Sequence, residues 1–136
     1  RAGLADGVEL GEDVLLDVYD FLEERIGAAE AAGISRARII TDPGIGFGKN
    51  IQHNLYLIRG LSLFHGLGCP ILLGASRKRF IGTIGQVPEA DRRGPGTLAV
   101  TLAGIAQGVQ IHRVHDTTET RQALRLWQAI GTGTEE

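Results

Sequence analysis

Three short polar stretches carry the residue types able to do chemistry. They are Asp42-Pro43-Gly44-Ile45-Gly46-Phe47-Gly48-Lys49-Asn50, Gly74-Ala75-Ser76-Arg77-Lys78-Arg79 and Arg113-Val114-His115-Asp116. A fixed carboxylate such as Asp42 accepts well from the N–H groups of an amino-substituted heterocycle. Asp-Pro-Gly equally suits a turn initiator or a helix cap, so both readings stand at this position. The glycine-rich loop after it resembles a phosphate-binding loop only superficially. A P-loop has four residues between its first Gly and Gly-Lys, followed by Ser or Thr. Here three residues separate Gly44 from Gly48-Lys49, and Asn50 follows. The spacing of a dinucleotide fingerprint is missing too.

Three adjacent cations, Arg77 to Arg79, are commonly a solvated surface run. Placed directly after an apolar strand and at a helix start, they can instead hold a carboxylate or a polar ring, with help from backbone N–H groups. In the third stretch, period-two alternation puts Val109, Ile111, Arg113 and His115 on one face. A face that turns from apolar to Arg and His suits a barrel interior opening into a site. Arg113, through its planar fork, and His115, as a hydrogen-bond donor, can bind a phosphate-type leaving group. His112 points to the opposite face and is read as structural, while His53 and His65 lie on a helix without a role. Arg92 and Arg93 read as surface charge. Cys69 has no His partner and reads as buried rather than nucleophilic. No ligand set has metal spacing.

The elements that must position these residues alternate. An amphipathic helix is expected over 12–32, with Val14, Leu15, Val18, Phe21, Leu22, Ile26 and Ala29 on one stripe. Glu12 and Asp13 complement its positive end, and Gly33 suits its left-handed exit. Residues 1–11 read as a loop. A short strand over 38–41 ends at Asp42-Pro43, which cannot extend a central strand. A helix over 51–65 places Ile51, Leu55, Ile58 and Leu61 on one face. A second strand covers 70–73, a short helix 78–84, and a buried helix 96–107, where Gly104 marks close packing. A third strand runs over 109–114, and a last helix over 117–130 is capped by Asp116 or Thr117. The tail from 131 to 136 reads as frayed. Strand centres near Ile39, Leu72 and Ile111 stand about 35 residues apart, the length of a strand–helix–strand unit. The expected fold is therefore α/β, a parallel sheet with helices over it. Ligands bind at the carboxyl ends of such strands, where all three polar stretches fall.

Composition excludes several classes. A chain of 136 residues corresponds to one domain. With 43% hydrophobic and 22% charged residues it is an ordinary globular chain rather than a disordered one. Its net charge of −2 gives no electrostatic footprint for nucleic acid or an anionic membrane. One Cys precludes an internal disulfide and fits a reducing cytoplasm. No apolar run approaches a membrane span, and no signal-peptide pattern opens the chain. The start at Arg1 and the absence of Met point to a chain without an intact translation start.

The motifs DPGIGFGK (Asp42 to Lys49), GASRKRFIG (Gly74 to Gly82) and RVHD (Arg113 to Asp116), in this order, resemble the later strand-end motifs of the dihydropteroate synthases. The similarity extends over nearly the whole chain. It implies a TIM (β/α)₈ barrel of the folate pathway, a cytoplasmic transferase and sulfonamide target. That enzyme joins 6-hydroxymethyl-7,8-dihydropterin pyrophosphate to p-aminobenzoate and releases pyrophosphate with the aid of Mg²⁺. By resemblance, Asp42 grips the pterin ring, and Lys78 reaches the pterin beside the p-aminobenzoate site. Arg113 packs over the pterin and approaches the pyrophosphate, which His115 binds. Phe47 and Ser76 match positions near the p-aminobenzoate pocket. Arg79 stands where some members have Ser. The family's early motifs, with the Asn and Asp residues for the metal, would precede Arg1. Residues 1–136 are thus expected to be a single partial domain, the carboxyl-terminal half of the barrel, inactive alone. It would form a homo-oligomer or associate with the missing half. The alternative is a non-catalytic pterin- or anion-binding module on a flavodoxin-like open sheet. A nucleic-acid binder using Arg77 to Arg79 is disfavoured by the net charge.

Overall fold

A computed structural model of the chain describes residues 13–134. The loop expected over 1–11, the contribution of Glu12 and the last two residues of the tail lie outside the described residues. Helix α1 (Val14–Ala31) starts at Asp13, whose side chain accepts from the Leu16 N–H. This satisfies one of the N–H groups that a helix start leaves without an intrahelical partner. Its stripe of Val14, Val18, Leu22 and Ile26 is buried, as the spacing requires, and Gly33 turns left-handed beyond its end.

The first expected strand is reduced to one bridging residue. Ser35 caps a 3₁₀ turn over Arg36–Arg38 by accepting from the Ala37 N–H, which removes Arg38 from the expected strand, while Ile39 is extended but lies outside the ladder. Only Thr41 then pairs, in parallel with Ile71. Helix α2 (Ile51–Arg59) is also shorter than expected: Gly60 closes it, and the chain continues as a 3₁₀ segment over Leu61–Leu67. Of the expected stripe, Ile58 and Leu61 are buried but Ile51 and Leu55 are exposed, and Asn54 and Leu57 complete the inward face instead.

Strand β1 (Leu72–Leu73) pairs in parallel with β2 (Ile111–His112), with Leu72 opposite Ile111 and Leu73 opposite His112. Ladder bonds from Pro70 O and the Leu72 N–H reach Thr41, whereas Ile71 O and Leu73 O accept from Ile111 and Arg113. β1 therefore lies between the other two segments. Both paired strands are shorter than the expected ranges. Between them come α3 (Arg79–Gly85), a 3₁₀ turn over Ala90–Arg92 and α4 (Gly94–Ala106). α4 is not buried all round. Only Thr97, Thr101 and Gly104 are, and a Cβ at Gly104 would lie 2.7 Å from Leu73 and 3.2 Å from His112, so this helix sits directly on the strands. α5 (Thr117–Thr132) follows β2; Asp116 stands at its N-cap, but its side chain makes no capping bond.

The core joins the α1 stripe to Leu57, Leu61, Phe64 and Leu67, and continues through Ile71 and Leu73. Tyr19 stacks on Phe64 with centroids 6.2 Å apart. A fully buried side chain of this size stabilises the fold by about 1.5–3 kcal/mol, so this layer fixes the sheet whose ends carry the polar stretches.

Candidate functional site

Because Thr41, β1 and β2 run parallel, the chain leaves all three at the same edge of the sheet. Asp42, the Gly74–Lys78 loop and the Arg113–His115 loop thus emerge side by side, as expected. Gly74 is buried and lies under Arg113: a Cβ there would be 3.2 Å from Arg113 Nη2. Opposite, Ser76 Oγ lies 2.8 Å from His115 Nδ1 and accepts from the His115 backbone N–H at 3.1 Å. These groups line a cleft of about 430 Å³, formed by Gly74, Ser76, Lys78, Arg113, Val114 and His115.

Lys78 also lines a second cleft, of about 630 Å³, with Phe47, Asn50, Ile51, Arg79 and Phe80 among its walls. Its ammonium donates to Ile45 O and lies 4.5 Å from the centroid of the Phe47 ring, a cation–π distance. Burial lowers the Lys78 pKa; the Asp42 carboxylate opposes that shift and the Arg113 cation adds to it. Lys78 therefore joins an Arg/His/Ser cleft to an aromatic, cationic one.

Asp42 departs from the expectation that it shares this space. It lies at the correct sheet end but lines neither cleft. Its Oδ1 accepts from the Gly44 N–H at 2.8 Å, so the turn-initiator reading is realised. Its charge still reaches the site through Lys49 and Lys78. The glycine loop is no phosphate cradle. Gly44, Gly46 and Gly48 adopt left-handed backbone, and three of the loop amides are used internally. The Gly44 N–H goes to Asp42, the Gly46 N–H to Asn54 and the Phe47 N–H to Gly44 O.

The basic run is only partly a solvated face: Arg79 is exposed, whereas Arg77 and Lys78 are half-buried. Arg77 pairs with Asp116 at 2.9 Å, and its backbone N–H is taken by Thr97 Oγ1. The Lys78 N–H goes to Ala75 O, so the backbone donors expected at this helix start are partly consumed. Arg93, read as surface charge, is half-buried and donates to Val87 O, Arg77 O and Pro88 O. An Arg-Arg pair in a polar loop gave no hint of which partner turns inward. His112 packs as expected: Nε2 lies 3.1 Å from Val109 O, and burial lowers its pKa, with the Val109 bond opposing. His53 completes a capping box with Asn50, His65 meets Gln107 O, and Cys69 is buried.

Lys49 is the site neighbour that spacing missed. Its ammonium donates to Gly44 O at 2.7 Å and Phe47 O at 2.9 Å, closing the loop that carries Phe47. Its signal was the run of glycines before it, whose left-handed turns direct carbonyls inward. Burial lowers its pKa to about 8, aided by Lys78 and opposed by Asp42. Between pH 8 and the ordinary lysine value, the unfolded chain binds more protons at this site than the folded one, so stability contributed here rises with pH. Chemical denaturation of wild type and Lys49→Met should show the difference in unfolding free energy moving in favour of wild type as pH rises from about 8 to about 10.5. A pH-independent difference would show that Lys49 titrates as it does in the unfolded chain.

Among the described residues no helix is long and apolar enough to cross a membrane. A family model described as "Pterin binding enzyme" matches residues 5–115. The dihydropteroate synthase of Neisseria meningitidis serogroup C is 44% identical over 121 residues, covering 88% of this chain and 43% of that protein. The dihydropteroate synthase of Escherichia coli (strain K12) is 41% identical over 118 residues, covering 87% of this chain and 42% of that protein. The structure of Xanthomonas albilineans dihydropteroate synthase with 4-aminobenzoic acid matches with a TM-score of 0.87 at 42% identity, over 89% of this chain and 44% of that one. The chain thus spans less than half the length of these relatives. Since the family match runs through the strand-end motifs as far as His115, the chain belongs to the pterin-binding enzyme family.

Proposed function

We propose that this chain is the carboxyl-terminal half of a dihydropteroate synthase barrel. In the assembled enzyme it would help condense 6-hydroxymethyl-7,8-dihydropterin pyrophosphate with p-aminobenzoate. The observation that carries this reading is Lys78, which stands between two adjoining clefts of different chemistry, as a two-substrate condensation needs. Solved Thermus thermophilus relatives hold 4-aminobenzoate in one structure and 6HMPPP in another. A Xanthomonas albilineans relative holds 7,8-dihydropteroate.

Pyrophosphate leaves from a methylene on an electron-rich pterin, so positive charge develops on that carbon while the leaving oxygen becomes anionic. Arg113 and His115 meet that anion and lower the barrier electrostatically. Ser76 Oγ occupies Nδ1 of His115 at 2.8 Å, which leaves Nε2 as the ring nitrogen to serve as donor to the leaving group. Phe47, Lys78 and Arg79 form the walls for p-aminobenzoate, where sulfonamides would compete. The aniline nitrogen is a weak base and already nucleophilic, so no strong general base is required. Among the described residues no group of three His, Cys, Asp or Glu side chains comes together to hold a metal. In this reading the Mg²⁺ ligands belong, by resemblance to the family, to the part of the cytoplasmic enzyme outside this chain, and no step on this chain is assigned to the metal.

Titration of the chain with inorganic pyrophosphate, followed by amide chemical shifts, tests the reading. Shifts should concentrate on Ser76, Arg113 and His115, and His115→Ala should weaken binding about tenfold or more, the loss typical of a bond to a charged group. Binding that leaves these residues unmoved would overturn it.

A further inference from the structure

The two loops that form the Arg113–His115 cleft are also tied together behind it. Arg77 stands between Ser76 and Lys78, yet it lines neither cleft. Its Nη2 pairs with Asp116 Oδ1 at 2.9 Å, and Asp116 directly follows His115. One ion pair thus connects the loop after β1 to the loop after β2. Each partner is the covalent neighbour of residues in the cleft.

The surroundings of the pair are costly for an ordinary surface bridge. Arg77 holds φ 60°, the left-handed region that is unfavourable for a residue with a Cβ. Its backbone is pinned there from both sides, with the N–H donating to Thr97 Oγ1 at 2.9 Å and the carbonyl accepting from Arg93 Nη1 at 2.8 Å. The side chains are only 28% and 27% exposed, and Arg77 Nε and Asp116 Oδ2 are buried without a hydrogen-bond partner. Those two atoms belong to the same pair, so a small rotation would complete a two-bond fork. Asp116 also forgoes capping α5 to face Arg77. A desolvated ion pair on strained backbone is weak evidence of a stabilising role. What the pair does fix is the distance between the two loops.

We propose that Arg77 and Asp116 form a positioning pair that holds His115 against Ser76 and sets Lys78 beside them. Neither residue touches substrate, and the role rests on the pyrophosphate reading of the cleft given above. The double variant Arg77→Asn/Asp116→Asn tests it. Asparagine tolerates left-handed backbone, and the net charge is unchanged, so neither added strain nor long-range electrostatics can mimic the effect. The melting temperature should be equal to or higher than that of wild type. The nitrogen resonances of the His115 ring, recorded without ligand, should move from a Ser76-bonded tautomer to averaged values. Affinity for inorganic pyrophosphate should fall about tenfold. Arg77→Lys, which keeps the charge but cannot form a two-bond fork, should give an intermediate affinity and decides the matter if the double variant does not fold. Wild-type ring resonances and wild-type affinity in these variants would overturn the proposal. If wild type binds no pyrophosphate, or His115→Ala leaves its affinity unchanged, the pyrophosphate reading fails. The ring resonances then still decide the pair by themselves: unmoved, they overturn it, and moved, they uphold it.

Discussion

Incubated with pterin pyrophosphate, p-aminobenzoate and Mg²⁺, the purified 136-residue chain is expected to form no dihydropteroate. The described residues contain two paired strands and one bridging residue, against the eight strands of a closed barrel. Beyond Thr41 on one side and β2 on the other, the ladder has no further partner among the described residues. Such edges recruit other strands. Large apolar side chains are exposed as well, among them Ile40 at 54%, Leu126 at 63% and Ile130 at 73%. The chain should therefore associate, with itself or with a complementing amino-terminal half. Catalysis is expected to fail for a separate reason, because the proposed reading places the metal ligands and the remaining pterin contacts in the part of the barrel outside this chain. Co-refolding with the amino-terminal half of the Escherichia coli relative should restore measurable turnover. Activity near that of a full-length enzyme from the chain alone, in a sample verified free of host enzyme, would overturn the half-barrel account.

Much of this site was legible because strand ends in a parallel sheet leave little choice. Once 70–73 and 109–114 read as strands, Ser76, Lys78, Arg113 and His115 had to emerge together, and they do. Alternation correctly separated His112 from Arg113 and His115. The failures share one physical cause: local hydrogen bonds that competed with the pattern. Ser35 drew Arg38 into a 3₁₀ turn, Gly60 stopped a helix whose periodicity ran on, and Asp42 bonded its own loop. Long-range roles were invisible for a different reason. Arg77 and Arg93 are recognised only by the carboxylate and the carbonyls they meet, and those come from elements whose approach no period encodes.

Asp42→Asn separates the two readings of that residue. An amide oxygen at the same place can still accept from the Gly44 N–H, so the turn and the loop carrying Phe47 should survive the change. What disappears is the negative charge. If the carboxylate grips the pterin, the enzyme assembled from this chain and its complement loses a charge-assisted acceptor, and pterin affinity should fall by about 1–3 kcal/mol. That corresponds to about 5- to 150-fold in Kd. The same charge acts on Lys49 and Lys78, opposing the burial that lowers their pKa values. Removing it should lower both further, which ammonium titration by NMR can follow on the chain without ligand. The two measurements sort the possibilities. Weaker pterin binding together with lower lysine pKa values establishes a carboxylate acting on ligand and lysines alike. Lower lysine pKa values with unchanged calorimetric affinity would remove Asp42 from the pterin contacts while keeping its electrostatic role. If neither quantity moves, Asp42 only shapes its turn, and recognition of the pterin edge must come from the part of the barrel outside this chain.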